Sequence, residues 1–94
     1  MNEPLTPSQA RAFLNAILAA GSRIDFAKHI EDAMAARKVS LAEILATLKG
    51  GSVRPGESEN GSYRYQVRGG KLTVVIRFLS QTWIVCITTW RNNR

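Results

Sequence analysis

A chain of 94 residues, 45% of them apolar, can bury the core of one compact domain but not of two. Thirteen Lys and Arg against seven Asp and Glu leave a formal charge of +6 and a pI near 10.3. That field favours polyanions such as nucleic acid, anionic membrane or an acidic protein, beside the plainer reading of a merely soluble basic surface. The single cysteine, Cys86, excludes an internal disulfide and a cysteine metal cluster, and no apolar run approaches the ~20 residues that span a bilayer. The expected location is therefore the cytoplasm, with no membrane contact.

In chain order, residues 1–6 show no periodicity and are expected to form a flexible arm. Thr6 before Pro7 opens a helix whose apolar stripe, Phe13, Leu14, Ile17 and Leu18, runs until Gly21. Asp25 is a candidate N-cap for a second amphipathic helix with Phe26, Ile30, Ala33, Met34 and Arg37 on one side, Lys28, Glu31 and Asp32 on the wet flank and His29 at the stripe's edge. Ser40 with Glu43 three residues on reads as a capping box for a third helix, buried through Leu41, Ile44, Leu45 and Leu48 and ended by Lys49-Gly50-Gly51. The helical part thus occupies residues 7–49.

Residues 51–61 are rich in Gly, Ser and charge and read as a loop, with Pro55-Gly56 as a turn and one short edge strand near Ser52 to Arg54. Ser62 to Arg68 alternates strictly, Tyr63, Tyr65 and Val67 on one face and Arg64, Gln66 and Arg68 on the other, before Gly69-Gly70 closes a hairpin. The arm that follows sets Leu72, Val74, Ile76 and Phe78 against Lys71, Thr73, Val75 and Arg77. After Ser80-Gln81-Thr82, the last arm has Trp83, Val85, Ile87 and Thr89 on one face and Ile84, Cys86, Thr88 and Trp90 on the other. Both faces are largely apolar, as in a covered central strand. Arg91 to Arg94 forms a polar tail. The expectation is one α+β domain, residues 1–94, with three N-terminal helices packed on a curved antiparallel sheet of three or four strands across residues 52–91.

The spacing also predicts a basic stripe on the polar face, in which Arg64, Arg68 and Arg77 repel one another unless an anion lies among them. Phosphate-cradling glycine loops, paired-His zinc helices, nucleophile elbows and Cys–His pairs are absent from the sequence. The remaining constellation is His29 beside Lys28, Arg37 two turns on, Tyr65, and Arg54, Arg64, Arg68 and Arg77 on the sheet. A histidine with arginines and tyrosines suits metal-free RNA cleavage, in which a base takes the 2′-proton, cations hold the crowded phosphate and an acid protonates the leaving oxygen. Each member also has a plainer role. His29 fits a packed histidine bonded to a backbone carbonyl, Tyr63 and Tyr65 fit core packing, Trp83 and Trp90 fit core or edge cover, Arg64 and Arg68 fit solvated strand positions, and Lys28 with Asp32 fits a surface pair.

From Asp25 onward, Phe26-Ala27-Lys28-His29, Arg37, Val39-Ser40, Glu43-Ile44-Leu45, Gly50-Gly51, Tyr65-Gln66-Val67-Arg68 and Leu72-Thr73-Val74-Val75-Ile76 follow one another in an order and spacing that resembles a bacterial family of small domains related to the BrnT and RelE toxins. The resemblance covers about seven tenths of the chain. It implies a RelE-like fold and a toxin-type endoribonuclease without metal or cofactor, silenced by a cognate antitoxin protein. His29 would be its general acid or base, Arg37, Arg64, Arg68 and Arg77 its phosphate holders, and Lys28 and Tyr65 supporting catalytic groups. Ala33 stands where the family has its first arginine after the histidine, and Lys38 where it often has glycine. Two other classes of function stay open: a non-catalytic basic module for nucleic acid or an acidic protein, and a gyrase-directed toxin of the same superfamily.

Overall fold

The computed structural model describes residues 1–92; Asn93 and Arg94 of the expected tail lie outside the described residues. The element order is α1 (Pro7–Ala20), β1 (Arg23–Phe26), α2 (Lys28–Arg37), α3 (Leu41–Gly50), β2 (Ser52–Val53), β3 (Glu57–Glu59), β4 (Ser62–Arg68), β5 (Leu72–Ser80) and β6 (Trp83–Arg91). The class is α+β, and the strands form one sheet in the order β1-β6-β5-β4-β2, with β3 also pairing with β4.

Local chemistry sets the helix starts. The Thr6 hydroxyl accepts from Gln9 N–H at 3.1 Å while the Gln9 side chain accepts from Thr6 N–H at 2.9 Å, and Pro7 follows where its missing N–H costs nothing. Ser40 and Glu43 repeat the reciprocal box on α3 at 3.1 and 3.0 Å. The carbonyls at the other end of α3 are met by Arg11 of α1, whose guanidinium donates to Leu48 O at 2.7 Å and to Gly51 O. Gly51 is required by space rather than by φ, because a Cβ there would lie 2.7 Å from Thr47 O and 3.0 Å from the Arg68 carbonyl.

The helices turn part of their apolar stripes to one face of the sheet, while Leu41 and Leu45, expected on the buried side of α3, are exposed. Leu14 and Ile17 of α1, Ile30 of α2, and Ile44 and Leu48 of α3 are buried with Tyr65, Val67, Val74, Ile76, Phe78, Ile84 and Cys86. Burying each Leu, Ile or Phe contributes about 1.5–3 kcal/mol, so this layer dominates stability. The face turned away from the helices carries Arg64, Gln66 and Arg68 of β4 beside Val75 and Arg77 of β5 and Thr88 and Trp90 of β6.

Several expectations are corrected. Among the described residues the sheet has six strands rather than three or four, and it is not wholly antiparallel, since Arg23–Phe26 runs parallel to β6 with Ile24 opposite Ile84 and Phe26 opposite Cys86. Asp25 is therefore a strand residue and not a helix cap. Its carboxylate accepts from Arg23 Nε at 3.1 Å and Trp83 Nε1 at 2.9 Å, while Ala27 precedes α2 without a side-chain cap. The N-terminal arm is tied down, with Leu5 buried and its N–H donating to Tyr65 Oη at 2.9 Å. Asn92 is likewise held by Thr73 and by Gly69 O, at 2.6 and 2.8 Å.

The strict alternation expected for β6 breaks at Ile87. Val75 pairs with Thr88 but Ile76 pairs with Cys86, so Ile87 is an extra residue and the faces exchange after it. Thr89 turns to the core, and Trp90, expected on the Ile84–Cys86 face, turns to the helix-free face with Thr88.

Candidate nucleic-acid interface

On β4, Tyr65 and Val67 are wholly buried beneath the helices, so the period of two sends Arg64, Gln66 and Arg68 to the opposite face. A second arm delivers Arg54 to the same place. β2 and β3 are one interrupted strand against β4, paired as Val53 with Val67 and as Glu57 with Arg64, a slip of one residue across Arg54–Gly56. Arg54 N–H still donates to Gln66 O at 2.9 Å, which fixes the arginine beside β4 while the bulge bends the strand. Gly56 allows that bend to close, since a Cβ there would stand 2.6 Å from the Tyr65 ring. The hairpin turns at Asn60 and Gly61, both with positive φ (52° and 82°), as a type I′ turn demands.

The outcome is a hollow of about 260 Å³ with Arg54, Arg64, Arg68 and Gln66 on its wall and Glu57 as its one carboxylate. A second hollow of about 280 Å³ adjoins it, sharing Glu57, Arg64 and Gln66 and adding Glu59, Val75, Thr88 and half-buried Trp90. Arg64 stands between the two. Its Nη1 lies 3.7 Å from Glu59 Oε1, too long for a hydrogen bond, and its Nε is buried with no acceptor among the described residues. An unmet guanidinium N–H beside two other guanidinium groups is a site with donors to spare. Arg77 shares this face but lines neither hollow.

The other expected site residues are elsewhere. His29 is exposed on the first turn of α2, next to Ile30, which is buried in the core on the helical side of the sheet. Lys28 pairs with Asp32 at 3.4 Å, and exposed Arg37 ends the same helix, its carbonyl accepting from Arg91 Nε. The structure does not bring His29, Lys28 or Arg37 to the sheet arginines, because helix and arginines occupy opposite faces. Tyr65 is corrected as a catalytic candidate. It has no exposed surface, and its hydroxyl donates to Glu3 Oε2 at 2.9 Å while accepting from Leu5 N–H. Burial pushes its phenol up to about 12, with the Glu3 carboxylate adding to the rise and the Leu5 N–H opposing it. Burial pushes the Cys86 thiol up to about 12 as well, which removes it as a nucleophile.

A larger hollow, about 540 Å³, lies between α1, α3 and β1, with Leu18, Ala19, Ile24 and Leu45 around Asn15 and Lys49. It holds no acid–base pair, so size does not mark the chemistry here. Among the described residues no cluster of three or more His, Cys, Asp or Glu is placed to hold a metal ion, and no helix is long and apolar enough to cross a membrane. Comparison with protein-family models, curated proteins and solved structures finds no match. The functional reading therefore rests on the site.

Sequence reasoning had Arg54, Arg64 and Arg68 but not Glu57, Glu59 or Trp90. The signal for the two glutamates was present, since Asn60-Gly61 between Glu57-Ser58-Glu59 and the Tyr-Arg strand is a two-residue hairpin pattern. Trp90 had no local signal, because its face depends on the Ile87 bulge.

Proposed function

We propose that this protein is a basic binding module that takes single-stranded RNA on the helix-free face of its sheet. The observation that carries the reading is the convergence of Arg54, Arg64 and Arg68 on one hollow, with the Arg64 Nε buried and unpartnered. Guanidinium groups suit phosphate oxygens through paired N–H donors, and a half-buried tryptophan beside them offers a base a stacking surface that a base-paired duplex cannot use. The net charge of +6 brings the polyanion in. The cytoplasm, where such RNA is found, is the compartment this reading assigns.

Three phosphate contacts to a single strand imply a slope of about −2 in log affinity against log salt. Fluorescence anisotropy with a labelled uridine hexamer tests this: Arg64→Ala and Arg68→Ala should each weaken binding and lower the slope by about 0.7. Absence of binding at 50 mM salt, or binding unchanged in the double variant, refutes the reading.

A BrnT/RelE-like toxin-type endoribonuclease held by an antitoxin is the second proposal, and three helices packed on a mainly antiparallel sheet with an open basic face support it. His29 lies apart from that face, so cleavage there would draw its base from the face itself, Glu57 or Glu59. Induced expression with mapping of transcript 5′ ends separates the two. New ends lost in Arg64→Ala and kept in His29→Ala favour cleavage on the sheet, and no ends favour binding alone.

A further inference from the structure

We propose that the hollow beside the arginines is a base pocket selective for guanine, read by the carboxylates of Glu57 and Glu59. This rests on the RNA-binding reading and adds to it the identity of the base. The two hollows share Arg64, Gln66 and Glu57, so a phosphate held by Arg54, Arg64 and Arg68 leaves its own nucleoside beside Val75, Thr88 and Trp90. That second hollow has an apolar floor in buried Val75 and an indole at its edge. Its volume of about 280 Å³ is of the order a purine needs.

The polar rim decides among the bases. β3 pairs with β4 so that Glu57 faces Arg64 and Glu59 faces Ser62, and the same parity puts both glutamates on the arginine face. A carboxylate only accepts hydrogen bonds. Guanine alone presents two adjacent donors on one edge, N1–H and the N2 amino group, which a carboxylate can accept together. Adenine and cytosine set a lone pair next to their amino group, and uracil flanks its single N–H with two carbonyl oxygens, so each would point acceptors at a carboxylate. The guanine O6, next to N1, needs a donor. Arg64 Nη1 stands 3.7 Å from Glu59 Oε1 on the rim, and Gln66 supplies an amide on the same wall. An acceptor and a donor held side by side match the guanine edge, and the Arg64–Glu59 ion pair, at 3.7 Å with no hydrogen bond, leaves that capacity open on both groups.

The same feature accounts for two carboxylates standing in a face otherwise built for an anion. Against phosphate alone, Glu57 and Glu59 would only repel.

The test is anisotropy titration of the full chain with labelled hexamers of uridine carrying a single central guanine, adenine or inosine, with GMP and AMP as competitors. Guanine should tighten binding on the order of tenfold over adenine, inosine, which lacks the N2 amino group, should fall between, and GMP should compete better than AMP. Glu59→Gln and Glu57→Gln lie at exposed positions. One of them should erase the guanine preference while keeping or raising affinity for the all-uridine hexamer, because a negative charge is removed from a phosphate site. Equal binding of all hexamers by the wild type overturns the base assignment and leaves the RNA-binding reading standing. A guanine preference that survives Glu57→Gln, Glu59→Gln and the double variant also overturns it. No binding of any hexamer overturns both.

Discussion

Removing one oxygen, by Tyr65→Phe, should loosen the N-terminal arm and change the alkaline stability of the protein. The Tyr65 hydroxyl accepts from Leu5 N–H at 2.9 Å in a buried bond and donates to Glu3 Oε2 at 2.9 Å in a part-buried one. Phenylalanine keeps the ring against Phe78, whose centroid is 5.4 Å away, so packing is conserved and the loss is polar. The orphaned Leu5 N–H costs about 1–3 kcal/mol, and the Glu3 bond about 0.5–1 kcal/mol because that carboxylate can rehydrate. A net loss of about 2–3 kcal/mol should lower Tm by roughly 10–20 °C in a domain this size. The phenol is pushed up to about 12 in the fold from an ordinary 10, so the fold favours its protonated form. Its contribution is present in full below pH 10 and is lost as pH rises towards 12. That gap of two units corresponds to roughly 3 kcal/mol. Urea unfolding of both proteins at pH 8 and pH 11.5 isolates the effect, since the other titrating groups are common to both and cancel. The stability difference should be about 2–3 kcal/mol at pH 8 and should largely vanish at pH 11.5. An equal difference at both pH values, or none at pH 8, refutes the latch.

Gly51→Ala should destabilise by about 1–3 kcal/mol in urea unfolding, because the new methyl meets the fixed backbone of Thr47 and Arg68 rather than a side chain that can swing away. Lys38→Gly should stabilise by about 1 kcal/mol, since Lys38 ends α2 at φ 54°, a left-handed conformation that glycine adopts freely, and its carbonyl can still accept from Arg91. Acid titration should expose Asp25, whose carboxyl is held below its usual range by the hydrogen bonds from Arg23 and Trp83. The pairing of β1 with β6 is then supported above the ordinary carboxylate range and weakens as pH falls through the lowered value. Asp25→Asn should flatten that limb of the melting-temperature profile relative to wild type, and an unchanged profile counts against it.

What could be read from the chain was what local chemistry determines. The Ser40–Glu43 box spans three residues and the Thr6-Pro7 start two, so each announces its helix without help from the rest of the fold. The alternation of Leu72, Val74, Ile76 and Phe78 is equally local, and these four face the core as expected. Arg23–Phe26 escaped notice because four residues give no period, and their parallel partner is about 60 residues away. The face of Trp90 depends on one extra residue at Ile87, and the Tyr65–Leu5 bond joins positions 60 apart. The residues of the expected site are divided between two faces for the same reason. His29 and the sheet arginines each look functional alone, but the helix–sheet packing that separates them follows from which side of β4 is apolar.

That separation has a consequence for how the interface can be built. Arg54, Arg64 and Arg68 are mutually repulsive, and a strand placing like charges on one wall loses stability unless something answers them. The fold answers in part from β3, whose Glu57 and Glu59 share the face, yet the one ion pair these glutamates make among the described residues, Arg64 to Glu59, is held at 3.7 Å and leaves Nε unmet. A partly exposed pair at that distance is worth little, up to about 1 kcal/mol. Closing it would gain no more than that, while an open Arg64 retains the capacity for charge-assisted bonds worth about 1.5–3 kcal/mol each to an arriving phosphate or carbonyl oxygen.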